Sequence, residues 1–329
     1  MERDRLARRV VHRELRIRGD RMQPRAAARD AESRISVIRG AITIVLLALN
    51  LLLWGIPVLL LGLVKFLLPK RESRRALRMT LTELGERWAA GNNTIFDLML
   101  TTRWDISGVE GLRTDAHYLI VSNHISWVDI FVLFRAFHRH AAFIRFFLKH
   151  ELIWFPIVGQ ASWALDFPFM KRYTPEYLER HPEKRGRDLE TTRRACRRFR
   201  RIPVTILNFL EGTRFTADKH ADQESPYRHL LRPRVGGIAF VLASLAEQIE
   251  TIVDVTLAYP RPDVTFWDFV TNRIDRVIVR ARVVDVPPRF LAENITEPGP
   301  ARDAFKEWIH ELWREKDDLL DTLNYEDFR

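Results

Sequence analysis

One cysteine, Cys196, stands in 329 residues. A single thiol excludes an intramolecular disulfide and a zinc site built on cysteines, and it permits a reducing compartment. Cys196 sits among arginines, where it reads as a small residue on a basic helix rather than a reactive thiol. Internal repeats and low-complexity linkers are also missing, which leaves a chain of ordinary folded texture. The most informative absence is of charge. From Ala41 to Val64 there is no Asp, Glu, Lys or Arg, a run of about two dozen residues that soluble helices rarely sustain.

Elsewhere charge is plentiful and unbalanced. With 53 Lys and Arg against 43 Asp and Glu, the net charge is +10 and the pI about 10.1. Such a balance implies an anionic partner, which could be nucleic acid, an anionic membrane surface or a phosphorylated substrate. The apolar run chooses the membrane over nucleic acid, since it is long enough to cross a bilayer. No small-residue cleavage signal ends it, so it reads as a retained anchor. Gly55 and Pro57 could break it into a re-entrant helical hairpin, so a spanning helix and a hairpin are both open. Both flanks are basic, with Arg34 and Arg39 before and Lys65, Lys70, Arg71, Arg74 and Arg75 after, which gives no clean orientation. The chain therefore divides into a basic leader at 1–39, a membrane-embedded segment at 40–69 and a folded domain at 70–329.

Within that domain, after a helical stretch from Arg74 to Met99, short apolar runs alternate with longer helical patterns. This predicts an α/β fold, a central mixed sheet flanked by helices. Strands are expected over Thr102–Ser107, Tyr118–Ser122, Ser162–Phe167, Val204–Phe209, Ile252–Ala258 and Arg276–Val284. Helices are expected over Val128–Phe137, Gly236–Ile249 and Ala301–Leu323. The polar stretch Tyr173–Asp188 reads as an exposed excursion. The following helix, Asp188–Arg201, lines up Arg193, Arg197 and Arg201, a stripe suited either to solvent or to anionic headgroups.

Two polar clusters fall at strand ends, where open α/β sheets place their sites. The first is Ser122-Asn123-His124-Ile125-Ser126-Trp127-Val128-Asp129. A neutral His124 can take a proton from a hydroxyl, and Asp129 can hold the other ring nitrogen, although Asp129 also suits a helix start. Neither Ser126 nor Cys196 makes a convincing nucleophile, so the attacking group is better supplied by a substrate hydroxyl. The second cluster, Phe209-Leu210-Glu211-Gly212-Thr213-Arg214, offers close backbone approach at Gly212 and a guanidinium at Arg214 suited to phosphate. Backbone amides near Gly212 are candidates for an oxyanion hole. A third run, Asp166 to Arg172, ends in Lys171 and Arg172, a pair able to hold a phosphate or to snorkel at a surface.

The order Asn-His-x-Ser-x-x-Asp, then a strand ending in Arg172, then Glu-Gly-Thr-Arg resembles the glycerolipid acyltransferase family that includes 1-acylglycerol-3-phosphate acyltransferases. The likeness covers roughly Trp104 to Tyr259. The wider string Glu211-Gly212-Thr213-Arg214-Phe215-Thr216-x-x-Lys219-His220, with Leu230-Leu231-x-Pro233-Arg234, is similar to a lysophospholipid acyltransferase branch. The resemblance implies His124 as general base with Asp129 as its partner, and Arg172, Glu211, Gly212, Thr213 and Arg214 as substrate-binding residues. The implied reaction moves an acyl group from acyl-CoA or an acyl-carrier-protein thioester to a lysophospholipid hydroxyl, lysophosphatidic acid above all, with no metal and no cofactor. It implies a membrane location, the inner or cytoplasmic membrane in a bacterium, with the site facing the cytoplasm. Alternatives from the residues alone are a lipid thioesterase or esterase, and a non-catalytic basic protein bound to a membrane surface.

Overall fold

The computed structural model describes residues 2–68, 71–170, 177, 180–181, 202–245, 248–249 and 251–326. Lys171, Arg172, Cys196 and the basic stripe of Arg193, Arg197 and Arg201 lie outside the described residues. The strands are β1 Arg103–Ser107, β2 Tyr118–Ser122, β3 Ile144–Phe146, β4 Leu148–Lys149, β5 Phe169–Met170, β6 Thr205–Phe209, β7 Thr251–Ala258 and β8 Arg276–Asp285. Six of them form one sheet in the order β1-β8-β7-β2-β6-β3, and β4 pairs with β5 alone. Every pairing in the large sheet is parallel except β7 with β8, which makes the sheet mixed, as the alternating pattern predicts.

The centre of the sheet is β2. All five of its residues are buried, so it shows an unbroken apolar run rather than alternation. Its register sets Ser122 opposite Phe209 of β6 on one side and Val255 of β7 on the other. The chain therefore leaves β2 and β6 at the same rim of the sheet, beside the last residues of β7. A crevice at such a reversal of strand order is where parallel sheets accept ligands.

Helices cover both faces. One face carries α2 (Arg71–Met99) and α3 (Val128–Phe137), whose Phe96, Val132 and Leu133 are buried with Val253 and Val277 of the sheet. The other carries Val235–Leu245 and the C-terminal helix Pro300–Glu326, with Leu242, Phe305 and Trp313 packed on Leu119, Val121 and Ile206. Burying each such large side chain contributes about 1.5–3 kcal/mol, before the cost of ordering the chain.

The apolar run lies in α1, one continuous helix from Glu2 to Leu67, so it is not a hairpin broken at Gly55 and Pro57. Packing decides between the two open readings. A Cβ on Gly55 would meet Ile157 Cγ2 at 2.9 Å, so this glycine serves close contact with the domain rather than a break. Pro57 removes one helical donor without ending the helix. A helical pair does exist, but α1 makes it with α2. Asn50, in the middle of the apolar run, donates to Trp88 O and Asn92 Oδ1, both at 2.9 Å. At the two ends, Ser36 Oγ donates to Thr271 O at 2.7 Å and Lys65 Nζ lies 3.1 Å from Asp166. Arg34–Leu67 is long and apolar enough to cross a membrane, and only 22% of its most apolar window is buried.

A correction concerns Ser162–Phe167, which is not a strand. Val158–Ala164 forms a short helix, α4, after a 3₁₀ turn at His150–Trp154. A short apolar run carries no period that separates strand from helix. Here Ala161 and Ala164 are buried with Val58 of α1 and Leu81 of α2, a contact invisible to local sequence.

Candidate active site

The first cluster leaves β2 as a tight loop before α3. Asn123 extends the sheet with its side chain: Nδ2 donates to Leu257 O and Oδ1 accepts from Leu257 N, both at 2.9 Å. That two-point clasp fixes the backbone on which His124 sits. His124 Nδ1 lies 2.8 Å from Asp129 Oδ2, in the first turn of α3, where a carboxylate also meets the positive end of the helix. The same oxygen accepts from Ile125 N at 2.7 Å and Ser126 N at 2.9 Å, and Asp129 Oδ1 accepts from the Tyr259 hydroxyl at 2.7 Å. Asp129 is fully buried, and all its contacts are donors.

This fixes the tautomer. An oxygen that already collects two backbone N–H groups is an acceptor, so Nδ1 donates to it, and in the neutral ring the lone pair is on Nε2. The imidazole also stacks on Phe209, centroids 3.9 Å apart and planes 14° off parallel. Its side chain keeps 15% exposure, enough for a substrate atom to reach the ring. The Ser126 hydroxyl accepts from Val128 N at 3.3 Å and Ser126 is buried, so it serves the turn and not as a nucleophile.

The second cluster closes over the first. Leu210 N donates to Ser122 O at 3.3 Å, and Phe215 N donates to His124 O at 2.7 Å. Between these ties Glu211 is buried, its Oε1 accepting from His124 N at 3.4 Å while Oε2 makes no hydrogen bond. Burial, with the nearby Asp129 charge, pushes its carboxyl well above the usual carboxylate range, against weaker opposing pulls from backbone donors and Lys316. Gly212 adopts φ +69°, the left-handed region open to glycine, and a Cβ there would meet Arg234 Cδ at 2.9 Å.

The remaining members of the cluster divide their tasks. The Thr213 hydroxyl accepts from Lys219 Nζ at 2.8 Å, and the same ammonium reaches Arg214 O at 2.9 Å, so Thr213 braces the turn. The guanidinium of Arg214 sits 4.9 Å above the exposed Trp127 ring. Neither Arg214 nor Arg234 pairs with an acid among the described residues, leaving both cations available to an anion. The Gly212 amide donates to Phe209 O at 3.0 Å, which removes it as an oxyanion donor. The amides of Thr213 and Arg214 carry no such bond among the described residues.

Sequence reasoning missed Tyr259 and Lys316, and it named Phe209 and Arg234 within motifs without giving them a role. Tyr259 follows the last residue of an expected strand, and its place on the shared rim was the signal that could have found it. Lys316 lies on the C-terminal helix, far along the chain. It is buried, donates to Val255 O at 2.6 Å and lies 2.6 Å from Asp254 Oδ1, beneath β7. Burial lowers the Lys316 ammonium's pKa, and Asp254 opposes that fall. Among the described residues no group of three or more His, Cys, Asp or Glu could hold a metal.

Known proteins bear on this arrangement. The family model described as Acyltransferase matches residues 103–259, a span that begins with β1 and ends on Tyr259. A human protein named 1-acyl-sn-glycerol-3-phosphate acyltransferase gamma is 26% identical over 259 residues, covering 74% of this chain and 61% of its own. An uncharacterized acyltransferase of Schizosaccharomyces pombe is 24% identical over 224 residues, 62% of this chain and 59% of its own. The chain thus spans about three fifths of the length of these curated relatives. A yeast 2-acyl-1-lysophosphatidylinositol acyltransferase is 26% identical over 131 residues, 36% of this chain and 32% of its own. In fold, the crystal structure of the 1-acyl-sn-glycerophosphate acyltransferase PlsC from Thermotoga maritima superposes with a TM-score of 0.52 at 16% identity. That match covers 88% of this chain and 98% of the other. Residues 103–259, just under half of the chain, thus match the acyltransferase family model.

Proposed function

We propose that the protein transfers a fatty acyl group from an acyl-CoA or acyl-carrier-protein thioester to the hydroxyl of a lysophospholipid, with lysophosphatidic acid as acceptor. One observation carries the reading: His124 is held at 2.8 Å by Asp129, which Tyr259 holds in turn, and the Glu211–Arg214 turn is tied to the same loop. His124 Nε2 takes the proton of the acceptor hydroxyl as its oxygen attacks the thioester carbonyl carbon. The imidazolium is stabilised by Asp129, and the tetrahedral oxyanion is met by the amides of Thr213 and Arg214. Collapse breaks the carbon–sulfur bond, and the departing thiolate receives the proton from His124. The products are the diacyl lipid and the free thiol, with no metal or redox cofactor in the balance.

The acceptor phosphate sits against Arg214, with Arg172 as a second cation, and the acyl tail stays in lipid along α1. On this reading the enzyme works at a membrane, the inner or cytoplasmic one if the chain is bacterial, with the site open to the cytoplasm where thioesters are made. The relatives named for lysophosphatidic acid and lysophosphatidylinositol acceptors support the acceptor class. Purified protein incubated with labelled acyl-CoA or acyl-carrier protein and a panel of lysophospholipids should yield a labelled diacyl phospholipid, strongest with lysophosphatidic acid. Free fatty acid released without an acceptor would make the protein a hydrolase, and no labelled product at all would remove the transferase reading.

A further inference from the structure

We propose that the 3₁₀ turn and α4, residues 150–164, form a second membrane-contact surface that enters a phospholipid bilayer beside α1. The proposal rests on the membrane reading of α1 above and adds to it a separate segment, 83 residues beyond Leu67 at its start. Four large apolar side chains of this segment face outward: Trp154 at 79% exposure, Phe155 at 58%, Val158 at 41% and Trp163 at 40%. No charged group lies between Trp154 and Leu165, so this is an apolar patch and not a mixed surface.

The patch is continuous with the exposed stripe of α1. Trp163 meets Phe66 with ring centroids 5.8 Å apart, and Leu60, Leu63 and Phe66 are exposed at 62%, 56% and 64% on the same end of the helix. A Cβ on Gly62 would meet Ala164 Cβ at 2.5 Å, so the two helices are in backbone-close contact. Lys65 turns inward and donates to Ala164 O, while Asp166 receives both Lys65 Nζ at 3.1 Å and Arg78 Nε at 2.9 Å. The cation and the acid at this junction are thereby satisfied internally, and the outer face is left apolar.

A fixed apolar patch of this kind, in water, marks an interaction site. Its composition selects the partner. Tryptophan and phenylalanine beside a charge-free helix suit the boundary between headgroups and acyl chains, where aromatic rings bury their bodies and keep indole N–H groups near water. A bilayer also covers both halves of the continuous stripe at once. The exposed Lys149 and Glu151 at the start of the 3₁₀ turn are opposite charges at headgroup level and bound the apolar patch on that side.

The test uses the full chain with Cys196→Ser and single cysteines at Trp154, Leu60 or Asp318, each carrying an environment-sensitive fluorophore. Vesicles of equal parts phosphatidylethanolamine and phosphatidylglycerol are then added. Labels at 154 and 60 should both brighten and shift to the blue, while the label at 318 on the C-terminal helix stays water-like. A shift at 60 without one at 154 overturns this proposal and leaves the membrane reading of α1 standing; no shift at either overturns both. A shift at 154 without vesicles that grows with protein concentration would mean that a second copy covers the patch, and also overturns it. Trp154→Ser with Phe155→Ser should cut acyl transfer severalfold for acceptor in vesicles and leave transfer to a short-chain, monomeric acceptor unchanged. Equal loss in both assays would make the residues structural and sink the proposal.

Discussion

Tyr259 and His124 bind opposite oxygens of one buried carboxylate, the tyrosine hydroxyl at 2.7 Å from Asp129 Oδ1 and the imidazole Nδ1 at 2.8 Å from Oδ2. The two contacts restrain Asp129 from both sides, and with the amides of Ile125 and Ser126 they supply four donors to one acid. The carboxylate therefore has one orientation, and the imidazole inherits it. Burial and the neighbouring Asp129 charge push the Tyr259 hydroxyl up, well above the usual phenol range, so it stays a donor at every accessible pH.

Removing that donor should weaken catalysis through Asp129. Tyr259→Phe leaves Asp129 Oδ1 buried without a partner, a loss of about 1–3 kcal/mol. Activity should fall about tenfold, equivalent to about 1.4 kcal/mol in the barrier, with KM for both substrates unchanged. Steady-state kinetics and thermal melting of the purified variant check this. A loss of stability with intact kcat would confine Tyr259 to the fold.

On the proposed mechanism, His124→Ala removes the base that takes the hydroxyl proton. Transfer should drop by about two to four orders of magnitude, the usual contribution of a positioned base. Helical content by circular dichroism should stay unchanged, because the His124 backbone is held by Phe215 N and by the Asn123 clasp rather than by the ring. Asp129→Asn should also damage activity, since an amide in that pocket presents an N–H toward the imidazole or the backbone donors. Persistent activity in His124→Ala would dismiss it as the base.

The pattern of strands was legible because β2, β6 and β7 are short apolar runs ended by polar knots, and parallel buried strands show just that texture. Asn123 to Asp129 was legible for a related reason, since Asp129 lies five residues after His124 and the two amides that orient its carboxylate, Ile125 N and Ser126 N, lie between them. Tertiary contacts were not. Whether Gly55 breaks a helix or admits Ile157 depends on a side chain about a hundred residues away. Ser162–Phe167 lost its strand character to Val58 and Leu81, and Lys316 finds Asp254 across 62 positions. Residues that carry long-range contacts have no local pattern to announce them.

Lys316 supports the sheet from beneath. Its ammonium is fully buried, 2.6 Å from Asp254 Oδ1 and 3.2 Å from Thr256 Oγ1, and Arg282 Nε joins Asp254 Oδ2 at 2.9 Å. Lys316→Met would leave the buried carboxylate with one cation, a change that costs about 3–5 kcal/mol where pairs are buried. Chemical denaturation should show this as a lower midpoint at unchanged slope. Adding Asp254→Leu should recover much of the loss, because it removes the stranded acid. If the double variant is no more stable than Lys316→Met, the ion pair is not what the lysine supplies.

Glu211 gives the fold a pH dependence whose sign follows from its burial. The folded carboxyl binds its proton well above the ordinary value of 4.5, so the native state holds more protons than the unfolded chain over that window. Stability then falls as pH rises from the unfolded value through the folded one. Glu211→Gln keeps an oxygen to accept from His124 N and removes the ionisation. The variant should melt at the wild-type temperature near pH 4 and above it at neutral pH, with a flatter profile between. Thermal melting of both proteins across pH 4 to 8 measures the difference. Parallel profiles would mean that Glu211 titrates alike in both states, and that its burial is relieved in solution.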